Sequence, residues 1–355
     1  MKILHVITTL LMGGAEHLLV DLLPRLKRQG HDVELVVFNG KRTPFYEQLE
    51  SEGIKIHGFP ENEGVYSFKH IFRLRRLMSH FDIVHTHNTA CQMFAAIVKP
   101  KDTILITTEH STSTRRRKYF FFRYIDKMMY SRYDKIICIS KPSEESLKKY
   151  IGDSFPITTV LNGVNIQRFL HAEKIDLGLQ NCFVITMVAG FRYEKDQPTL
   201  IRSLLFLPDN FHLVLVGDGE KRLEIESLIS ELNLGDRVHL LGLRNDVPNI
   251  LKSSNVVVMS SHREGLSLSN VEGMASGNPF IASDVEGLRE VTAGYGLLFP
   301  HGDSKTLSDI IKRLYTDHVF AEHVASRCVE RSLQFDIQSM VNGYLEIYNV
   351  FMSKC

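Results

Sequence analysis

The chain has 355 residues, 44% of them hydrophobic and 23% charged, with a formal net charge of only +1. That is the composition of a soluble globular protein, its length suggests two domains, and no stretch approaches the roughly 20 apolar residues of a membrane span. Five cysteines, an odd number with no C-x-x-C, argue against a disulfide framework and fit a reducing cytoplasm.

The N-terminal "MKILHVITTLLMGG" has a histidine inside its apolar run and no small-x-small cleavage site, so it reads as a first buried strand rather than a signal peptide. Further short apolar runs follow: "DVELVVF", "IKIHGF", "DIVHTH", "TILITTEH" and "KIICIS" in the first half, then "CFVITMVAG", "FHLVLVGDG", "RVHLLGL", "NVVVMSS" and "PFIASD". Continuous apolar runs of this length, alternating with helical stretches, signal parallel strands buried on both faces. The rhythm occurs twice, which predicts two doubly wound α/β domains, with residues 164–181 as the candidate linker. Charge is uneven between the halves. Residues 1–165 carry 24 Lys/Arg against 17 Asp/Glu and residues 166–355 carry 18 against 24. A basic first half favours anionic ligands or an anionic membrane surface.

In such sheets ligands bind beyond the carboxyl ends of the strands, so the chemistry is sought in the stretches that follow them. Gly13 and Gly14 come after the first strand and before a helix, which suits either backbone approach to a phosphate or a bare tight turn. The full G-x-G-x-x-G spacing is absent, so a nicotinamide dinucleotide site is not supported. His85 and His87 point the same way from a strand end. They read as hydrogen-bonded strand residues, because a zinc site has no apparent third ligand. His110 ends the next strand.

Arg192 and Lys195 follow "FVITMVAG" and suit a diphosphate, Arg gripping bidentately and Lys adding a point charge. The chain has no D-x-D, so no carboxylate cluster is evident to hold a divalent ion on a diphosphate. In "HREGLSLSNVEGMASG", Glu264 falls in a strand-to-helix loop and Glu272 on the helix, with the amides of Gly265, Leu266 and Ser267 between them able to face an anion. A carboxylate that binds a vicinal diol makes two charge-assisted hydrogen bonds, each worth roughly 1.5–3 kcal/mol. The stretch therefore reads as a sugar-nucleotide clamp.

Glu264 and Glu272 form an E-x7-E on a strand-loop-helix late in the second domain. Together with "GGAE", "DIVHTHN", "TEHS", "IICISKPSEESL", "VLNGVNIQRF", "VGDGEKR", "ASDVEGLREV" and "GLLFPHGD", this resembles the retaining glycosyltransferases of family 4, the group 1 transferases. The likeness spans nearly the whole chain, and its specificity lies in the order and spacing of the motifs. It implies a GT-B architecture, two Rossmann-like domains facing across a cleft. Residues 1–165 would form an N-terminal acceptor domain and 166–335 a nucleotide-sugar domain. Residues 336–355 would form a helix crossing back to the first.

The resemblance also implies roles. Glu264 would contact the donor sugar, Glu272 the ribose, Arg192 and Lys195 the diphosphate, and His110 the reacting sugar. Gly14 would lie near the phosphate or acceptor, with Gly265, Leu266 and Ser267 supplying amides to the donor. No metal is expected. The donor would be a UDP- or GDP-linked sugar, and the acceptor a glycan or lipid-linked glycan in surface polysaccharide or glycolipid assembly. The protein would be cytoplasmic, peripheral at the inner face of the membrane, and would not bind nucleic acid.

Three departures from the family pattern stand out. Gly190 occupies the place of the family's arginine, which is displaced two positions to Arg192, Glu286 replaces a glycine, and Gly273 replaces an alanine. Two other classes stay open. A sugar-nucleotide epimerase would turn over without acceptor, and a non-catalytic binding subunit would lack the reacting centre. Residues 115–135, with eight basic residues against two acidic among Tyr, Phe and Met, read either as an interfacial helix or as an ordinary amphipathic one.

Overall fold

The computed structural model describes residues 1–11, 13–110, 117, 119–264 and 267–353. It divides into two compact units, 1–163 with 337–355, and 164–336.

The first unit is built on β1 (Lys2–Ile7), β2 (Asp32–Val37), β3 (Lys55–Gly58), β4 (Ile83–His87), β5 (Ile104–Glu109), β6 (Lys135–Cys138) and β7 (Ile157–Thr159). All pairings are parallel, in the order β3-β2-β1-β4-β5-β6-β7. The second contains β8 (Phe183–Val188), β9 (Phe211–Val216), β10 (Val238–Gly242), β11 (Val256–Met259), β12 (Phe280–Ser283) and β13 (Leu297–Phe299), again all parallel, ordered β10-β9-β8-β11-β12-β13. Both orders are the doubly wound one, in which the chain leaves a central strand first to one side and then to the other. The order reverses between β1 and β4 and between β8 and β11, and the loops diverge there to leave a crevice.

The apolar runs become strands because helices cover both sheet faces, so β1, β4, β5 and β11 are buried at nearly every position. β7 and β13, three residues each and mostly half-buried, are too short to stand out as apolar runs. The expected linker is not a free connection. Its helix Ile166–Leu170 buries Ile166 and Phe169 in the second unit's core, and the chain passes between the units at 163/164 and 336/337. The last helix, Ile337–Met352, packs Ile337, Met340, Val341, Tyr344 and Tyr348 into the first unit's core beside Leu18, Leu19 and Leu22.

Two of the departures have physical explanations, one in packing and one in electrostatics. A Cβ at Gly273 would lie 2.5 Å from the ring of Phe280, so the glycine makes room for a fully buried phenylalanine. Glu286 is exposed in the first turn of its helix, where a carboxylate is favoured by the helix dipole.

Candidate functional site

In the first unit, Gly14 opens the helix that follows β1. It is exposed, and a Cβ there would meet nothing within 4 Å. His87 ends β4 and His110 follows β5. His5 and His85 pair in register across β1 and β4, and His87 lies two residues further on the same face. The result is a line of imidazoles that chain position alone did not reveal. His110 Nε2 is 2.9 Å from His87 Nδ1, and His87 Nε2 is 3.1 Å from His5 Nδ1. His85 is held separately, 2.6 Å from the Tyr348 hydroxyl on the last helix and 2.7 Å from Thr108 Oγ1.

Burial dominates the titration of these rings. It pushes His5 down to about 3 and His110 down to about 4, with Glu109 opposing the latter slightly. His85 and His87 lie well below the usual histidine range, chiefly through burial and then through the neighbouring imidazoles. All four are neutral at pH 7.

Each neutral ring carries one proton, and the line fixes where. His5 Nε2 is buried with no partner among the described residues. An orphaned buried N–H costs more than an orphaned lone pair, so the His5 proton belongs on Nδ1. His5 Nδ1–H then donates to His87 Nε2, and His87 Nδ1–H donates to His110 Nε2. The His110 proton is left on Nδ1, which makes the ring a hydrogen-bond donor.

His5 also supplies the third histidine that the H-x-H pair lacked. The rings are stacked, with centroids 4.7–5.4 Å apart and planes 13–29° from parallel. Imidazole lone pairs lie in the ring plane, so stacked rings do not converge on one ion.

Glu109 is a second residue that sequence reasoning missed. It is buried and accepts hydrogen bonds from Tyr130 Oη at 2.6 Å, Gln92 Nε2 at 2.5 Å and Arg117 Nη2 at 2.9 Å. The Arg117–Glu109 pair is more than nine-tenths buried on both sides. Within the basic stretch 115–135, Arg117 is therefore not a surface cation: it neutralises an interior carboxylate. Arg115, Arg116, Lys118 and Ser111 lie outside the described residues, as does Met12.

In the second unit, the candidates follow the two strands at the reversal of order. Lys195 and Arg192 come after β8, and Glu264 comes after β11. Lys195 Nζ donates directly to Glu264 Oε1, and both side chains are largely shielded. Gly190 stands in the place the resemblance gives to arginine, Phe191 is buried in the core, and Arg192, two places on, is exposed. Phe191 N donates to Asp218 O at 3.0 Å and Lys221 N to Phe191 O at 3.0 Å, which holds the loops after β8 and β9 together. Gly217 makes this approach feasible. It has φ +138°, and a Cβ there would lie 2.1 Å from Ala189 O. Arg192 lines a cavity of about 430 Å³ with Tyr193, Arg202, Lys221 and His262. Ser267 is buried at the start of helix Leu268–Ala275, and Glu272 is half-buried on that helix. Gly265 and Leu266 lie outside the described residues.

Two Rossmann-like parallel-sheet units of this kind are the GT-B architecture. Residues 173–332 match the family described as glycosyl transferases group 1, and residues 12–168 match glycosyltransferase family 4. The chain belongs to this family of glycosyltransferases and is an enzyme of that class. It is similar to an Escherichia coli UDP-Gal:alpha-D-GlcNAc-diphosphoundecaprenol alpha-1,3-galactosyltransferase, 27% identical over 310 residues, 81% of this chain and 80% of that protein. A Campylobacter jejuni N,N'-diacetylbacillosaminyl-diphospho-undecaprenol alpha-1,3-N-acetylgalactosaminyltransferase is 29% identical over 220 residues, 60% of this chain and 54% of its own. Among solved structures, Anabaena HepE in complex with UDP superposes with a TM-score of 0.86 at 22% identity, covering 99% of this chain and 100% of that one. Among the described residues, no helix is long and apolar enough to cross a membrane.

Proposed function

We propose that this enzyme transfers a sugar, with retention of anomeric configuration, from a UDP-linked donor to a hydroxyl of a lipid-diphosphate-linked glycan. The observation that carries this reading is the Lys195–Glu264 pair at the reversal of strand order in the second unit. A carboxylate there accepts from sugar hydroxyls while its partner cation faces phosphate. The named substrates of the E. coli and C. jejuni relatives, and the UDP bound by HepE, support the choice of donor and acceptor.

In the mechanism the first unit receives the acceptor. Glu264 orients the donor sugar, Glu272 holds the ribose, and Lys195, Arg192 and the amides of Gly265, Leu266 and Ser267 stabilise charge developing on the leaving diphosphate. His110, neutral and protonated at Nδ1, donates to a sugar oxygen. The departing phosphate accepts the acceptor's proton, so no enzymic base is required. With cations in this role and no D-x-D, transfer requires no divalent ion. Helix Phe120–Tyr130 would meet anionic membrane through Phe120, Tyr124 and Met128, a solvent-facing stripe 69–81% exposed and flanked by Arg123 and Lys127.

The test is UDP release from a panel of UDP-sugars, with and without a short-chain lipid-diphosphate glycan and in excess EDTA. Acceptor-dependent release of UDP, with an α-linked product from an α-linked donor by NMR, is the expected result. Release without acceptor, an inverted product, or activity restored only by manganese or magnesium would each overturn the corresponding part.

A further inference from the structure

The second unit gathers three more ligand-type atoms at strand ends, on residues that the transfer mechanism does not use. Asp196 follows β8, His262 follows β11 and His301 follows β13. His262 Nδ1 lies 2.5 Å from His301 Nε2, and Asp196 Oδ2 lies 3.6 Å from the first and 4.0 Å from the second. The 2.5 Å contact is a hydrogen bond between the two imidazoles, and Asp196 Oδ2 completes a triangle of ligand-type atoms within 4.0 Å of one another. A tetrahedral ion with bonds of about 2.0 Å holds its ligand atoms about 3.3 Å apart, so it would take the place of the shared proton and spread the two rings.

The surroundings hold these atoms in place. Asp196 is buried, and its carboxylate accepts from Thr199 Oγ1 at 2.6 Å and from Thr199 N at 3.3 Å. Its carbonyl accepts from Ser260 Oγ at 2.9 Å. The His262 amide donates to Glu194 O at 2.9 Å, and the Tyr193 ring packs on the imidazole with centroids 4.7 Å apart. Hydrogen bonds that orient a ligating carboxylate are characteristic of metal sites. His262 and His301 remain partly exposed, so an ion can reach the site from solvent.

We propose that Asp196, His262 and His301 form a binding site for a divalent transition-metal ion of the zinc class. Two imidazoles and one carboxylate select such ions over magnesium or calcium, which favour all-oxygen sites. The bound ion ties the loop of Arg192 and Lys195 to the loop of Glu264 and to the loop after β13. This inference does not depend on the proposed transfer reaction, because its readout is metal binding.

The test uses the full chain, stripped with chelator and then freed of it. Co²⁺ is titrated while its ligand-field absorption is followed, and Zn²⁺ is added in competition and in a thermal melt. The expected result is one saturable equivalent of Co²⁺, displaced by Zn²⁺, with Zn²⁺ raising the melting temperature. His301→Ala, at a partly exposed position, should weaken binding at least about tenfold and abolish the thermal shift. Asp196→Asn, which keeps an oxygen for the helix cap, should weaken binding similarly. His239→Ala is the control, since His212 and His239 form another imidazole pair in this unit, 3.0 Å apart. Absence of a saturable equivalent, His301→Ala binding like wild type, or loss of binding only in His239→Ala would overturn the assignment.

Discussion

The Nε2 atom of His110 lies 2.9 Å from Nδ1 of His87, and this one contact couples the residue nearest the proposed chemistry to a buried line that ends at His5. A neutral ring at the head of that line is a donor with a fixed tautomer, whereas a lone histidine on a loop would titrate near pH 6.5.

The first prediction concerns stability. Folding lowers the pKa of His5 to about 3 and of His110 to about 4, and sets His85 and His87 well below the ordinary value. As pH falls below about 6.5, the unfolded chain takes up protons that these folded rings refuse, so stability is lost on acidification and is fully present only above that pH. The loss by pH 5 is on the order of 2 kcal/mol for one fully buried ring. Urea unfolding of wild type at pH 7.5 and 5 should show the decline, and His5→Asn should flatten it. Equal slopes in the two proteins would mean that the rings are not buried neutral.

The Lys195–Glu264 contact predicts non-additive kinetics. Lys195→Met and Glu264→Gln should each cost about 2–4 kcal/mol in the barrier. The double variant should lose far less than the sum, because each single change leaves a partner with unbalanced charge. UDP affinity separates the two glutamates. Glu272→Ala should weaken UDP binding, while Glu264→Ala should leave it near wild type. Equal losses of UDP affinity would refute the division of roles.

Much of this was legible in the sequence, for physical reasons that also mark the limits. Strands buried on both faces declare themselves as apolar runs, and the E-x7-E lies within one strand-loop-helix, so Glu264 and Glu272 could be placed by counting. The partners could not be placed that way. His5 meets His85 only because β1 pairs with β4, some 80 positions away in the chain. Glu109 looks like a strand-end acid until Arg117 is seen buried against it. Asp196 looks like an ordinary helix cap, and only β13 brings His301 near it. Gly273 looks like an altered pocket, but the cause is the Phe280 ring beneath it.

The displaced arginine yields a sharper test. Gly190 stands at the family's arginine position and Phe191 is buried, while Arg192 is exposed and lines the cavity shared with Lys221. Arg192→Ala should therefore reduce turnover by about 2–4 kcal/mol in the barrier, as loss of a charge-assisted contact to a leaving phosphate does. Folding should be unaffected, because the side chain supports no core contact. If Arg192→Ala turns over like wild type while Lys221→Ala does not, the phosphate cation has moved to the loop after β9.

Arg117 is not a residue on which a membrane contact of the stretch 115–135 can be tested. Replacing it by Ser would strand the Glu109 carboxylate in the interior, and removing one partner of a buried pair costs about 3–5 kcal/mol, so lost binding in such a variant would report unfolding. The surface that can be altered without that penalty is the outer face of helix Phe120–Tyr130. Phe120, Tyr124 and Met128 recur every four residues and face solvent, while Met129 and Tyr130 anchor the helix from the other side. Exposed aromatics beside Arg123 and Lys127 suit an interfacial helix, with each nearby cation worth about 1 kcal/mol at an anionic surface. Wild type should co-sediment with vesicles containing phosphatidylglycerol and be partly released by raised salt. Arg123→Ser with Lys127→Ser should weaken binding and reduce its salt dependence. Phe120→Ser with Tyr124→Ser should weaken binding at every salt concentration, and neither pair should change the melting temperature by more than a degree or two, since both alter exposed side chains. If wild type ignores these vesicles at low salt, the stripe serves another partner, and the acceptor reaches the enzyme without a membrane contact at this helix.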